Sequence, residues 1–171
     1  DPRLGWNRVS AEGLGIMAAK VKVSGLDTII KNLNKEVAKI EGNVQKGLTI
    51  AGLFIKGRSM DKTPVDVGNL RTSHYLVSGD GTKSEETGFR PDRSGSNRVA
   101  DEHSGHIQEA SVRIRTKNKP FIEIGLTAFY AEHVHEDLEA RHPTGECKFL
   151  EKAITQNYKK TVDTVKRFAK V

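Results

Sequence analysis

A regular repeat of apolar residues organises the first third of the chain. From Leu26 to Ile55 these residues recur at steps of three and four, which is the spacing that places side chains on one face of an α-helix. Lysines fall on the opposite face, so the pattern predicts a long amphipathic helix with one packed side and one solvated side. Ser24 precedes the repeat and can cap this helix by accepting a hydrogen bond from a free backbone N–H. The apolar positions are Leu26, Ile29, Ile30, Leu33, Val37, Ile40, Val44, Leu48, Ala51 and Ile55.

Glycines and a proline set the limits of this predicted helix. Four glycines lie inside or near the end of the repeat, and each costs about 1 kcal/mol relative to alanine in a helix interior. The pattern therefore either breaks near Gly42 or packs closely there, and we expect one long helix. Pro64 cannot donate the helical hydrogen bond and disfavours helix at Thr63. The helix must therefore stop at or before the segment TPVDVGNLRTS.

The segment TPVDVGNLRTS has the residue types of a tight turn. Asp66 and Asn69 can bond to nearby backbone amides, and Gly68 can adopt a positive φ. The residues RTSHYLV that follow include several with high β propensity. We therefore predict the order helix, turn, strand across this part of the chain.

The middle of the chain predicts a polar arm and then a hairpin. The stretch 79–106 is rich in Gly, Ser and charge and has no apolar period, which indicates a mobile loop or arm. IQEASVRIRT and KPFIEIGL then alternate apolar and polar residues on either side of Lys-Asn, with Val112 and Ile114 matched by Phe121 and Ile124. This alternation predicts a β-hairpin.

The last third of the chain predicts two more helices. TAFYAEHVHEDL indicates a short helix that begins at Thr127, and the loop EARHPTGE follows it. A final helix from Lys148 carries one apolar stripe and holds seven basic residues against Glu151 and Asp163. We therefore predict an α+β fold, in which a long N-terminal amphipathic helix and a C-terminal helix pack on a small antiparallel sheet, with a long polar loop. The stripe of the final helix comprises Leu150, Ile154, Tyr158 or Thr161, Val162, Val165 and Phe168.

Length and cysteine content narrow the class of protein. The 171 residues suit one domain over 21–171, preceded by an N-terminal extension over 1–20. We hypothesise that Met17 is an alternative start, or that residues 1–16 are a cloning remnant. Cys147 is the single cysteine, so no intramolecular disulfide can form and we expect synthesis in the cytosol. No apolar run approaches the roughly 18 residues that span a bilayer, and the N-terminus lacks a secretory pattern.

The charge balance is mildly basic. A formal net charge of +6 favours acidic partners or nucleic acid by long-range attraction. Aromatic residues do not alternate with the basic ones in a way that would stack bases. Any contact with DNA should therefore be non-specific and directed to the phosphate backbone, and it should weaken as salt is added.

One short stretch concentrates the residue types that bind metals. HVHEDLEARHPTGEC contains His133, His135, His142 and Cys147, which are donors that zinc favours. Their spacing, H-x-H-x6-H-x4-C, matches none of the tight pairs of structural zinc sites. In a helix, His133 and His135 would also point about 200° apart. We expect surface or interface histidines here and no metal site.

Catalytic motifs give no stronger signal. Ser73 and His74, with Asp61 or Asp66, supply the residue types of a catalytic triad, but the chain contains no G-x-S-x-G. Neither of the glycine-rich phosphate-binding motifs occurs. We therefore predict no catalytic, cofactor-binding or metal-binding residues and expect that the protein is not an enzyme.

Three short segments occur in an order that resembles a known family. TPVDVGNLRTS, YAEHVHE and KFLEKAI are similar to the T-P-x-D-T-G-x-L-R-x-S, Y-A-x-x-V-E and P-F-L segments of the gene-ten-like family. These are the neck or tail-completion proteins, or minor tail components, of long-tailed bacteriophages. The resemblance covers roughly 21–171. Val67 stands where the family commonly has Thr, EDLEARHPTGECK replaces a Gly-Thr-rich link, and the polar arm is long.

The resemblance implies a virion structural protein without catalytic activity or a cofactor. Copies would form a homo-oligomeric ring, expected to be hexameric, through head-to-tail contacts. The ring would join the capsid-side connector or head-closure protein to the tail terminator or tube proteins around the DNA passage. Its location would be the neck or tail of the virion after assembly in the host cytoplasm, with no membrane partner.

Two other functions stay open from the residues alone. They are a small basic DNA-binding protein and a metal-dependent hydrolase built around His133, His135 and His142. For the leading hypothesis, the polar arm could become ordered on a neighbouring subunit. The architectural and contact residues expected from the three segments are Thr63, Pro64, Asp66, Gly68, Asn69, Leu70, Arg71, Tyr130, Val134, His135, Glu136, Lys148, Phe149 and Leu150.

Overall fold

The computed structural model describes residues 26–117 and 119–170. The predicted extension over 1–20, the start at Met17 and the Ser24 cap lie outside the described residues. Helices and a small antiparallel sheet make up the described chain, which confirms the predicted α+β class. The elements in order are α1 (Leu26–Lys62), α2 (Asn69–Thr72), β1 (His74–Ser78), β2 (Lys83–Glu85), α3 (Arg98–Arg115), β3 (Ile122–Leu126), α4 (Ala131–Glu136) and α5 (Phe149–Ala169).

The long helix α1 forms as predicted and ends at Lys62, immediately before Thr63 and Pro64. Its 37 residues give a rod about 55 Å long at 1.5 Å per residue. The glycines do not break it. Close packing occurs at Gly47, where an added Cβ would lie 3.0 Å from Phe168 Cβ and 3.1 Å from Val165 Cα, whereas nothing lies within 4 Å at Gly42.

Helix α5 packs antiparallel along the C-terminal half of α1. Its last turns contact Gly47, and the Glu146 N–H just before its start donates to the Lys62 carbonyl at 2.8 Å. The predicted final helix is thus confirmed, but it packs on α1, not on the sheet as predicted. The reason is that α1 and α3 already cover the two faces of the central strand.

The sheet has the order β2-β1-β3, and both pairings are antiparallel. All five residues of β1 are buried. Leu76 faces α1, where its side chain approaches Gly52. Tyr75 and Val77 pack with Ile107 and other apolar residues of α3. Alternate residues of β1 therefore fill two separate cores, one beneath each helix.

The predicted β-hairpin is wrong in its first strand. The residues from Arg98 to Arg115 form α3, and the strand β3 pairs with β1 instead. Val112 is exposed in α3, so the alternation of Val112 and Ile114 does not reflect a strand. The residues that do face the core recur at helical steps, and they are Val99, His103, Ile107, Ala110, Ser111 and Ile114.

Two other boundaries also differ from the prediction. The polar stretch 79–106 contains β2 and the start of α3, so the irregular arm is confined to 86–97. Helix α4 begins at Ala131, four residues after the predicted start at Thr127. Thr127 instead extends the sheet pairing, because its N–H donates to the Ser73 carbonyl at 3.0 Å. None of the helices in the described ranges is long and apolar enough to cross a membrane.

Candidate functional site

The three segments that carry the family resemblance meet at one corner of the molecule. Phe149, at the start of α5, is completely buried. Its ring lies 5.9 Å from the His74 ring and 4.8 Å from the His135 ring, measured between centroids. Leu70 of the turn belongs to the same cluster, and Tyr130, Val134 and Leu150 pack against it. Residues far apart in sequence therefore share one small core, which we call the corner.

The turn at Thr63–Ser73 has a defined backbone conformation, and its side chains also bind the arm. Gly68 has φ +98°, a conformation that favours glycine, and it precedes the short helix α2. The buried Asn69 side chain donates to the Arg90 carbonyl at 2.7 Å and accepts from the Arg90 N–H at 2.9 Å. Asp66 pairs with Arg93 at 2.6 Å. Both side chains therefore contact the arm, whereas we predicted hydrogen bonds to nearby backbone amides.

The link between α4 and α5 closes over the end of α1. Gly145 has φ +79°, and a Cβ there would lie 2.4 Å from the backbone nitrogen of Pro64. Only glycine fits at this approach. The Glu146 carboxylate accepts from Lys62 at 2.6 Å and from Lys152 at 2.7 Å. The hydrogen bond from Lys152, and then that from Lys62, lowers the pKa of Glu146, so one anion ties α1 to α5.

A second polar contact fixes the start of α5. Lys148 has φ 54°, and its N–H donates to the His135 carbonyl at 2.8 Å. Its ammonium donates to Glu136 and lies 3.3 Å from Glu151. The hydrogen bond from Lys148 lowers the pKa of Glu136. This contact and the packing of Phe149 against His74 and His135 set the direction in which α5 leaves the corner.

His74 is a buried structural residue. Its Nδ1 lies 3.0 Å from the Arg71 carbonyl, which can only accept, so Nδ1 carries the proton and Nε2 accepts from Ser59 Oγ at 2.9 Å. Burial lowers the pKa of His74 to about 4, and the ring is neutral near pH 7. The hydroxyl of Ser73 donates to the Leu70 carbonyl. His74 and Ser73 are both fully buried, so this pair faces the core and cannot meet a substrate.

The other architectural residues surround this histidine. Thr63 is buried, and its hydroxyl donates to the Ser59 carbonyl at 2.7 Å. Arg71 is exposed and lies 3.7 Å from Asp61. Thr63 therefore extends the end of α1, whereas the Arg71 side chain is available on the surface.

The structure separates the candidate metal ligands. His135 packs edge-to-face with Phe149 and contacts Glu136, whereas His142 lines a cleft. His133 is exposed. Within residues 26–117 and 119–170, no group of three or more His, Cys, Asp or Glu side chains could hold a metal ion.

A cleft of about 600 Å³ opens beside the corner. Its walls come from the turn, the arm and the α4–α5 link. Tyr130 lies in the wall, and burial raises the pKa of its hydroxyl. A mainly apolar cleft of this size is a candidate site for a small ligand as well as for a protruding side chain of another protein. The lining residues are Pro64, Val65, Asp66, Val67, Gly68, Asn69, Leu70, Asp92, Arg93, Ser94, Tyr130, Val134, His142, Pro143 and Thr144.

A second candidate surface was not apparent from the sequence. The apolar face of α1 is buried only from Gln45 onward, and every residue over 26–42 is exposed. Leu33 is 62% exposed and Ile29 is also 62% exposed. We call residues 26–41 the overhang, because this part of α1 extends past the end of α5. The periodicity predicted the stripe, but it could not show that α5 is too short to cover it.

Lys56 is a further structural residue that the sequence did not single out. Its side chain is 3% exposed and its ammonium lies 2.9 Å from both Glu86 and Ser84. A buried ammonium needs such partners, because removing one leaves an uncompensated charge. Lys56 thereby fastens β2 and the start of the arm to α1.

Comparisons with protein-family models, with curated proteins and with solved structures find no match for this chain. The cleft, the overhang and the three short segments are therefore the features of this chain that bear on its function. The exposed apolar stripe of the overhang is the feature that is typical of a protein-binding surface.

Proposed function

We propose that this protein is a structural component of a phage virion, located at the head–tail neck or at the tail end. Copies of the chain form a ring that connects the capsid-side connector to the tail around the DNA passage. The observation that carries the proposal is the overhang, with its exposed apolar stripe. A soluble subunit rarely exposes a contiguous stripe of this kind unless another protein covers it.

The corner supports the same proposal in a different way. Subunits that repeat around an axis need a fixed angle between their contact surfaces. Phe149, Gly145 and Glu146 join α1, the turn and α5 at one point. The overhang and the cleft are thus held by a stiff joint, and this suits a part that sets the geometry of an assembly.

The short segments support the proposed location within the particle. TPVDVGNLRTS, YAEHVHE and KFLEKAI resemble segments of neck and tail-completion proteins, and they are the segments that build the corner. The partners that this implies are connector or head-closure proteins on one side and tail terminator or tube proteins on the other. Assembly would take place in the host cytoplasm.

The exposed basic residues of α5 favour non-specific DNA contact as a second activity. Lys160 and Arg167 are exposed along this helix. Within a ring around DNA, such residues would contact phosphates without reading sequence. Fluorescence anisotropy with duplex DNA should show weak binding that falls steeply as salt is added. Tight, sequence-dependent binding would instead support the small DNA-binding protein.

Two measurements test the proposed function. Light scattering after size-exclusion chromatography should give a discrete oligomer, and negative-stain images should show rings. Antibody labelling of purified virions should place the chain between capsid and tail tube. A chain that stays monomeric at high concentration, or that is labelled nowhere on the particle, contradicts the proposal.

A further inference from the structure

Two apolar stripes lie exposed on different helices of the described structure. One is the stripe of the overhang, which includes Leu26, Leu33 and Val37. The other lies on α5, where Ile154 is 45% exposed and Tyr158 is 67% exposed. These two residues are one helical turn apart and lie beside the face that packs on α1. We call them the α5 stripe.

Acidic residues border the stripe of the overhang. At 3.6 residues per turn, Glu41 lies on one edge of the stripe and Glu36 on the other. Lys31 and Lys35 fall on the far side of the helix. Glu36 has Lys39 at 3.6 Å, but both side chains are more than half exposed, so this pair contributes little. The overhang therefore presents an apolar stripe with an acidic rim.

Basic residues border the α5 stripe. Lys159 and Lys166 fall on one side of α5, next to the edge of the stripe, and both are exposed. Glu151 adjoins the N-terminal end of the stripe, where it lies 3.3 Å from Lys148. The charge of Lys159 and Lys166 is opposite to that of the overhang rim, which is the arrangement that steers and orients two protein surfaces.

We propose that the overhang of one copy docks on the α5 stripe of the next copy. This rests on the proposed function, because it names the contact that closes the ring. The two surfaces match in charge, because the acidic rim of the overhang meets Lys159 and Lys166, and the apolar stripe of the overhang covers Ile154 and Tyr158. They also differ from each other, so the contact is head-to-tail and repeats around an axis.

Pairing of two overhangs would be less favourable. It would bring Glu36 and Glu41 of one copy close to the same acidic rim of another, and like charges across an interface oppose association. Docking on α5 places lysines opposite these carboxylates. The overhang would then continue, on a neighbour, the α1–α5 packing that exists inside each subunit around Gly47.

Charge reversal on each side tests the contact. The double variant Glu36→Lys with Glu41→Lys should weaken self-association at least about tenfold, because lysines then meet lysines. Lys159→Glu with Lys166→Glu should do the same through acidic pairs. A mixture of the two variants should recover assembly, because every contact in an alternating ring again joins opposite charges. Light scattering on each variant and on the equimolar mixture measures this.

A control variant on the far face of α1 and the state of the wild type distinguish a failure of the docking proposal from a failure of the ring proposal. Lys31→Glu with Lys35→Glu carries a similar charge change on the far face of α1 and should assemble like wild type. Thermal unfolding should show that all variants fold. If wild type assembles and both test variants assemble equally well, or if the mixture fails to recover, the docking proposal is wrong and the ring proposal stands. If wild type is monomeric, both are wrong.

Discussion

The two halves of α1 carry the same apolar repeat and differ in what covers it. From Gln45 to Lys62 the repeat is buried against β1, β3 and α5. Over 26–41 the same spacing faces solvent. Because the helix is continuous, propensity alone cannot explain the difference. The packed half stabilises the subunit, whereas no part of residues 26–117 and 119–170 covers the apolar face of the overhang.

Truncation of one apolar residue in each half should give the largest contrast. Ile55 is 3% exposed and Leu33 is 62% exposed. Ile55→Ala should lower the free energy of unfolding by about 2–5 kcal/mol, because it leaves a cavity. Leu33→Ala should change it by less than about 0.5 kcal/mol while weakening self-association. Urea unfolding and light scattering measure the two effects.

Two outcomes of these truncations would contradict the proposed difference between the packed half of α1 and the overhang. A loss of subunit stability in Leu33→Ala as large as in Ile55→Ala would mean that the overhang is covered within its own chain. Unchanged association of Leu33→Ala, at full stability, would remove the overhang as a contact surface.

The pH dependence of stability tests the packed half through His74. Its pKa is lowered from 6.5 to about 4, so protons bind the unfolded state first. Its contribution is therefore complete above pH 6.5 and is lost as pH falls toward 4. Between pH 7 and pH 5 this should cost about 2 kcal/mol. His74→Gln should flatten this part of the pH profile, whereas Leu33→Ala should keep the wild-type slope.

Other groups titrate near this pH range, and their effects on stability must be distinguished from that of His74. Burial also lowers the pKa of His103, with the Glu85 carboxylate opposing the shift, so His103 adds a loss of the same sign. The lowered pKa values of Glu136 and Glu146 act at lower pH, because their stabilisation is lost as these carboxylates protonate. The difference between wild type and His74→Gln isolates His74. An unchanged slope in His74→Gln would show that His74 is not the group responsible.

Local patterns predicted the parts of the fold that depend on local chemistry. The helix end predicted from Pro64 is confirmed, since α1 ends at Lys62, and the apolar period correctly indicated α5. The predicted hairpin is wrong because the alternation around Val112 spans little more than one helical turn. So short a run fits both the two-residue period of a strand and the 3.6-residue period of a helix. The longer helical period through Val99 and Ile107 was the signal that could have corrected it.

Contacts between distant residues could not be predicted in the same way. Asn69 binds the backbone of Arg90, and Gly145 lies against Pro64. Both contacts depend on the path of the arm and of the α4–α5 link in the folded chain. The three segments nevertheless contribute residues to one packed cluster at the corner. Their roles in assembly stay predictions.

Two glycines of α1 give the smallest and most specific test of the comparison. A Cβ at Gly47 would lie 3.0–3.1 Å from Phe168 and the Val165 backbone, whereas none of the neighbouring atoms lies within 4 Å at Gly42. Gly47→Ala should therefore destabilise the subunit by roughly 1–2 kcal/mol, since overpacking outweighs the better helix propensity. Gly42→Ala should stabilise the helix by up to about 1 kcal/mol, which hydrogen exchange of the overhang amides can detect. If both substitutions stabilise, α5 does not lie close to Gly47, and the boundary between the packed half and the overhang would have to move toward the C-terminal end of α1.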